Sequence, residues 1–271
     1  LELKSNLSKN PIGVFDSGIG GLTVYRALRE ILPHEDFIYF GDTARLPYGT
    51  KSKETIEAYT LNAVRILRNH EIKFLVVACN TISSQALEAL AHAFSDLLYC
   101  GVIAAGAEAA VRATLSGHIA VLATEGTVRS GIYPEVICGL KRDAKIQMLA
   151  CNLLVALAEE GWCEGKEAEA LVSRYLNMLE HGYDTLVLAC THFPLLLPVF
   201  RKLCPSSIKI VDSGAVTAQS VYAFLSARSL LNSQIKEGSE AFFVTDMPER
   251  FARLGRQFLG RKIELPQNPE K

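Results

Sequence analysis

Two cysteines stand at the carboxyl ends of apolar runs, Cys79 in FLVVACNT (74–81) and Cys190 in TLVLACTH (185–192). Each is followed by residues that open a helix: Asn80 and Thr81 precede ISSQALEALAHAF, and Thr191 and His192 precede Phe193 and Pro194, a proline suited to a first helical turn. A helix start presents free N–H groups and a positive dipole end, so a thiol there is expected to ionise more readily than the ~8.5 of a free cysteine. Both are therefore candidates for proton transfer or nucleophilic attack, against the competing reading of a buried structural cysteine. Cys100, Cys138, Cys151, Cys163 and Cys204 lack such flanks and read as structural. His192, two residues beyond Cys190, is near enough to give or take a proton in the same pocket. A metal held by Cys79, Cys190 and His192 lacks the C-x-x-C or H-x-x-x-H spacing that accompanies such sites, and no metal is expected. His34, His70, His92, His118 and His181 read as solvated surface.

Three turns add polar groups. VFDSGIGGLTV reads as a strand, a glycine-rich turn and a helix, in which Gly18, Gly20 and Gly21 let the backbone approach an anion at the helix start. It is not a dinucleotide fingerprint, because Thr23 stands where G-x-G-x-x-G needs its last glycine. A carboxylate is as good an occupant as a phosphate. Asp16, beside Ser17, either exchanges a proton or binds an ammonium group, or else caps its own helix. GDTARLPYG (41–49) reads as a loop offering the Tyr48 hydroxyl and the Gly49 N–H, and ATEGTVRSG (123–131) as a further strand-to-helix turn offering Thr124 and Thr127.

The elements that must hold these turns read as nine strands: Ile12–Asp16, Phe37–Gly41, Phe74–Cys79, Leu98–Ile103, His118–Ala123, Ile146–Ala150, Thr185–Cys190, Ile208–Asp212 and Ala241–Thr245. Segments with helical spacing alternate with them; in 53–67, Ile56, Tyr59, Ala63, Ile66 and Leu67 share one face. Such alternation predicts parallel sheets covered on both faces, with ligands at the carboxyl ends of the strands. FLVVACNT and TLVLACTH match at Leu75 and Leu186, Val76 and Val187, Ala78 and Ala189, and Cys79 and Cys190; Asp16 and Thr124 repeat at nearly the same offset. The echo suggests two similar α/β domains facing each other across a central cleft, although buried strands resemble one another in any case. The expected division is 11–103 with 213–265 for the first domain and 104–212 for the second, after a disordered preamble over 1–10. No linker marks the boundary, and the last strand is free to return to either half.

Composition narrows the function. With 28 basic and 29 acidic residues among 271, the chain has no field to attract nucleic acid or an anionic membrane surface, and a small-molecule partner is expected. No apolar run approaches the ~18 residues of a membrane helix. Seven cysteines, an odd number without an export signal, point to reduced thiols and a cytoplasmic location.

Taken in order, FDSGIGGLTV, GDTARLPYG, ACNT, ATEGTVRSG and ACTHFPLL resemble the motif set of the glutamate racemases, within the aspartate/glutamate racemase superfamily, over residues 11–225. The resemblance implies two α/β domains with the active site between them, and interconversion of L- and D-glutamate for peptidoglycan without a cofactor. It implies Cys79 and Cys190 as the two proton-transfer residues, assisted by Asp16 and His192. It further implies substrate contacts from Asp16, Ser17, Tyr48, Gly49, Asn80, Thr81, Thr191 and His192. A glutamate near the second cysteine is also typical of the family, in a segment that often carries prolines. Here that segment reads CNLLVALAEEG, with Asn152 and Ala156 in place of proline, and Glu159 is the match, with Glu160 its neighbour. Racemisation itself calls for two acid/base groups, because a single base returning the proton to the same face regenerates the starting enantiomer. The alternatives are an aspartate or hydantoin racemase or a one-cysteine decarboxylase of the same superfamily, a two-lobed amino-acid binding protein, and a cysteine hydrolase using Cys190 with His192. Homodimer formation is left open.

Overall fold

A computed structural model describes residues 7–268. Along them run β1 (Ile12–Asp16), β2 (Phe37–Gly41), β3 (Phe74–Val77), β4 (Tyr99–Gly101), β5 (His118–Ala123), β6 (Lys145–Ala150), β7 (Thr185–Ala189), β8 (Lys209–Asp212) and β9 (Glu240–Val244). They form two sheets, in the orders β4-β3-β1-β2-β9 and β6-β5-β7-β8, with parallel pairing throughout. Helices cover both faces of each sheet, so the strands are apolar on both sides and alternate residues serve different cores. In β1, Ile12 and Val14 pack with Leu22, Tyr25 and Leu28 of the helix Leu22–Ile31, whereas Phe15 packs with Ile56, Val64 and Leu67 of the helix Lys53–Arg68. In β5, Ala120 and Leu122 meet Val172 and Phe200, whereas Ile119 and Val121 meet Ala107 and Ile137. The helix Lys53–Arg68 shows why such elements form: the Ser52 side chain accepts from the Thr55 N–H, Glu54 sits in the first turn, and Arg65 and Arg68 in the last.

β9 pairs with β2 from Phe37↔Glu240 to Gly41↔Val244, so the last strand joins the first sheet. The chain reaches it through the helix Ser213–Ala227, which Asp212 caps by accepting from the Gly214 and Ala215 N–H groups; Ala218, Val221 and Leu225 enter the core of the first sheet. We propose the division 11–103 with 213–265, and 104–212, because these segments hold the strands of the two sheets. Of the preamble expected to be disordered, residues 1–6 lie outside the described residues. Leu7–Asn10 form a turn instead, closed by the Asn10 N–H on the Leu7 carbonyl at 3.1 Å. Lys73 Nζ holds that turn through the Ser8 carbonyl and pairs with Glu35, both side chains buried. ISSQALEALAHAF, expected as one helix, divides into Asn80–Gln85 and Leu87–Ala93 at Ala86 (φ −121°, ψ −2°). Among the described residues no helix is long and apolar enough to cross a membrane.

Candidate active site

The carboxyl ends of β1, β2 and β3 face those of β5, β6 and β7 across a cavity of about 390 Å³. Ser17 lines it after β1, Tyr48 and Gly49 after β2, and Cys79, Asn80 and Thr81 after β3. Opposite them stand Thr124, Glu159, Cys190, Thr191 and His192. The two cysteines singled out by their flanks thus reach one cavity from the two sheets. Asp16 lies beneath the wall: it is fully buried and is not among the lining residues. Thr127 is also buried, behind Thr124, with the hydroxyls 3.2 Å apart.

On the first side, Ser17 Oγ stands 3.5 Å from Cys79 Sγ. Asp16 accepts from the Gly18 N–H at 2.9 Å through Oδ2, whereas Oδ1 has no hydrogen-bond partner among the described residues. Burial raises the Asp16 carboxyl above its ordinary value, against the His192 charge and the Gly18 and Gly21 N–H groups. The expectation of an easily ionised thiol fails at Cys79, whose pKa is pushed up to about 12. Burial is the largest cause and the Asp16 charge adds to it, outweighing the Ser17 hydroxyl and the Ile82 N–H of the helix start. The helix that follows is only six residues long, a short source of dipole.

On the second side, His192 Nδ1 lies 3.8 Å from Cys190 Sγ and Nε2 lies 3.2 Å from Glu159 Oε1. Burial alone would lower the His192 pKa, but the hydrogen bonds and charges of Cys190 and Glu159 prevail and raise it to about 10. Burial likewise opposes ionisation of Glu159, yet His192 and then Arg250 bring its pKa below the ordinary value. Glu160 points elsewhere, with its side chain 68% exposed. Of the two neighbouring glutamates, Glu159 is the one that meets the histidine.

The remaining residues set the walls. Tyr48 donates its hydroxyl to Asp42 Oδ2 at 2.5 Å, and Asp42 Oδ1 accepts from Arg45 and Thr245. Burial and the Asp42 carboxylate raise the Tyr48 pKa, so the ring presents a neutral hydroxyl already committed to that partner. Asn80 is held by the Tyr133 hydroxyl at 2.8 Å. Like that bond, two others tie the lobes together at the cavity wall, Thr81 Oγ1 to Thr124 Oγ1 at 2.8 Å and the Thr23 hydroxyl donating to the Thr191 carbonyl at 2.8 Å, and the Gln85 amide adds a further one to the Gly126 carbonyl at 3.1 Å. Thr43, Val155 and Arg250, which the sequence did not single out, also line the cavity, as does Asn152, named there only as a departure from proline. Asn152, standing where proline is frequent, accepts from the Glu125 N–H at 2.9 Å, a role proline cannot fill. Arg250 comes from the helix Pro248–Leu259, more than fifty residues beyond His192 in sequence, and no spacing rule connects them.

Comparison with known proteins agrees with this geometry. The family described as Asp/Glu/Hydantoin racemase matches residues 12–221. The glutamate racemase of Geobacter metallireducens is 47% identical over 253 residues, 93% of this chain and 93% of that one. The crystal structure of glutamate racemase from Francisella tularensis subsp. tularensis SCHU S4 in complex with D-glutamate superposes with a TM-score of 0.89 at 34% identity, covering 96% of this chain and 97% of that chain. An aspartate racemase homologue from Pyrococcus horikoshii OT3 gives a TM-score of 0.55 at 16% identity, over 80% of this chain and 99% of that chain, and shares the fold alone. With its motifs in order and its paired parallel sheets in place, the chain belongs to the Asp/Glu/Hydantoin racemase family and is an isomerase, an amino-acid racemase.

Proposed function

We propose that this racemase interconverts L- and D-glutamate by moving protons between the α-carbon and two cysteines, Cys79 and Cys190, and that its D-glutamate supplies peptidoglycan synthesis in the cytoplasm. The observation that carries the reading is the placement of both thiols on the walls of one cavity, each brought there by a different sheet. One cysteine, as thiolate, takes the α-hydrogen as a proton; the other, as thiol, returns a proton to the opposite face, and the protonation states exchange with each turnover. The reverse direction swaps the roles. No organic cofactor is invoked, so the developing carbanion must meet fixed dipoles in a site from which water is displaced. Backbone N–H groups at Ser17, Gly49, Asn80, Thr81 and Thr191 are the donors we assign to the substrate carboxylates.

The two thiols are served differently. His192, held as a cation by Glu159, hands a proton to the Cys190 thiolate across 3.8 Å and, once neutral, takes one back from the thiol. Cys79 is a neutral thiol at ordinary pH, with Ser17 beside it and the Asp16 carboxyl below. An ammonium group entering the cavity brings the positive charge that offsets burial and lets this thiol ionise. Glutamate is favoured over aspartate by the level of identity to glutamate racemases, 47% for the Geobacter metallireducens protein against 16% for the aspartate racemase homologue. The test is polarimetry of L-glutamate and L-aspartate side by side. The glutamate solution is expected to decay to zero rotation while aspartate stays constant; constant rotation of glutamate overturns the assignment.

A further inference from the structure

We propose that Arg250 is a positioning residue, reaching from the helix Pro248–Leu259 across the cleft to hold the Glu159 carboxylate in its pairing with His192. The inference rests on the proton-transfer reading of His192 and Glu159 given above. Glu159 is the last residue of the helix Asn152–Glu159, whose last turn holds no basic residue, and Glu160 follows at its carboxyl end. Two carboxylates at a helix C-terminus face the negative end of their own dipole, so the compensating charge must come from other elements. It comes from two sides. Glu159 Oε1 meets His192 Nε2 at 3.2 Å, and Glu159 Oε2 lies 3.8 Å from Arg250 Nη2, which is also 3.9 Å from Glu160 Oε1. Each carboxylate oxygen of Glu159 thus has its own cation, and rotation of the group would sacrifice one of them.

The helix that carries Arg250 is fixed to the first lobe and covers the histidine pair of the second. At its start, Asp246 and Thr43 exchange two hydrogen bonds, the Thr43 hydroxyl on the Asp246 carbonyl at 2.5 Å and the Asp246 N–H on Thr43 Oγ1 at 2.9 Å. At its end, Arg26 donates to the Phe258 carbonyl at 3.0 Å, and the Phe258 ring meets His192 edge-on with centroids 5.9 Å apart. Between them Gln257 packs under Gly161, where an added Cβ would fall 2.6 Å from its amide. The charged groups facing Glu159 are His192, Arg250 and Asp16, with Glu160 sharing Arg250, and those facing His192 are Cys190, Glu159 and Asp16. Arg250 is the member of this set that the C-terminal helix contributes.

The experiment compares full-length Arg250→Gln, Arg250→Lys and Glu159→Gln with the parent in glutamate racemisation across pH, with thermal unfolding followed in parallel. Arg250 is half-exposed, and all variants are expected to fold. Arg250→Gln is expected to lower kcat about two- to fivefold, the scale of a partly exposed ion pair, and to move the acid limb of the rate profile to higher pH, because Glu159 then protonates sooner. Arg250→Lys is expected to restore the acid limb. An Arg250→Gln variant with the parent's kcat and an unmoved acid limb overturns the proposal, as does one in which KM alone rises. If Glu159→Gln itself retains the parent's activity, the proton-transfer reading of the pair fails; if Glu159→Gln is impaired and Arg250→Gln is not, the role of Arg250 alone fails.

Discussion

Cys79 and Cys190 share a cavity but not an environment. Cys79 has a hydroxyl and a buried carboxyl for neighbours, Cys190 an imidazole paired with a second carboxylate. If each is an obligatory proton carrier, Cys79→Ala and Cys190→Ala are each expected to lower racemisation by at least about 100-fold, with cooperative unfolding retained in circular dichroism. The histidine gives a separate test. Its pKa rises from 6.5 unfolded to about 10 folded, so the pairing adds stability in full below 6.5 and loses it as pH climbs through about 10. Glu159 works in the opposite sense: its contribution is present above its unfolded value of 4.5 and fades as pH falls through the lower folded value. The melting-temperature advantage of the parent over His192→Gln is therefore expected at neutral pH and lost above about pH 10. The placement of Cys79, Cys190 and His192 at one cavity was legible because residue type and flanking turns coincide within a few positions. The charge state of Cys79 was not, because burial depends on residues from both lobes and sets the opposite sign to the local helix start.

At the scale of elements, strands were readable from their apolar runs even where burial is partial, as in β4 and β6. All nine apolar runs correspond to strands, but Phe74–Cys79 overran its strand by two residues, since Ala78 and Cys79 stay buried after β3 has ended at Val77. Burial, not pairing, is what hydrophobicity reports. The break at Ala86 was hidden because no glycine or proline marks it and the Ala86 N–H still reaches the Ile82 carbonyl at 2.9 Å. The glycine-rich turn has a sharper demand than anion binding alone. A Cβ at Gly20 would fall 2.3 Å from Thr191 Oγ1 and 2.5 Å from His192 Cε1, so this turn is close enough to the other lobe to admit no side chain. Gly20→Ala is expected to displace Thr191 and His192 and lower kcat about 10- to 100-fold, the scale of a small misplacement at a reacting centre, with far-UV circular dichroism unchanged. Parental kcat would show that the close approach is not needed for turnover.

For the molecule as a whole, the sequence conveyed two α/β halves, and parallel pairing in both sheets agrees. The return of β9 to the first sheet was open, because a single apolar run carries no record of its neighbour; pairing with β2 closes that choice and sends the helix Pro248–Leu259 over the cleft. Arg250 reaches the cavity by this route, through tertiary packing that motif spacing does not encode. In the proposed mechanism the two-lobed arrangement matters because it would offer one stereocentre to two proton carriers at once. Turnover of L-glutamate in deuterated water, followed by proton NMR of both enantiomers at early times, tests that arrangement most directly. The D-glutamate formed should carry deuterium at the α-carbon while unreacted L-glutamate keeps its hydrogen. Unlabelled product would show one group carrying the substrate's own proton to the other face, and deuterium accumulating first in the starting enantiomer would show one group exchanging with solvent and reprotonating the same face; either result contradicts two thiols acting from opposite faces.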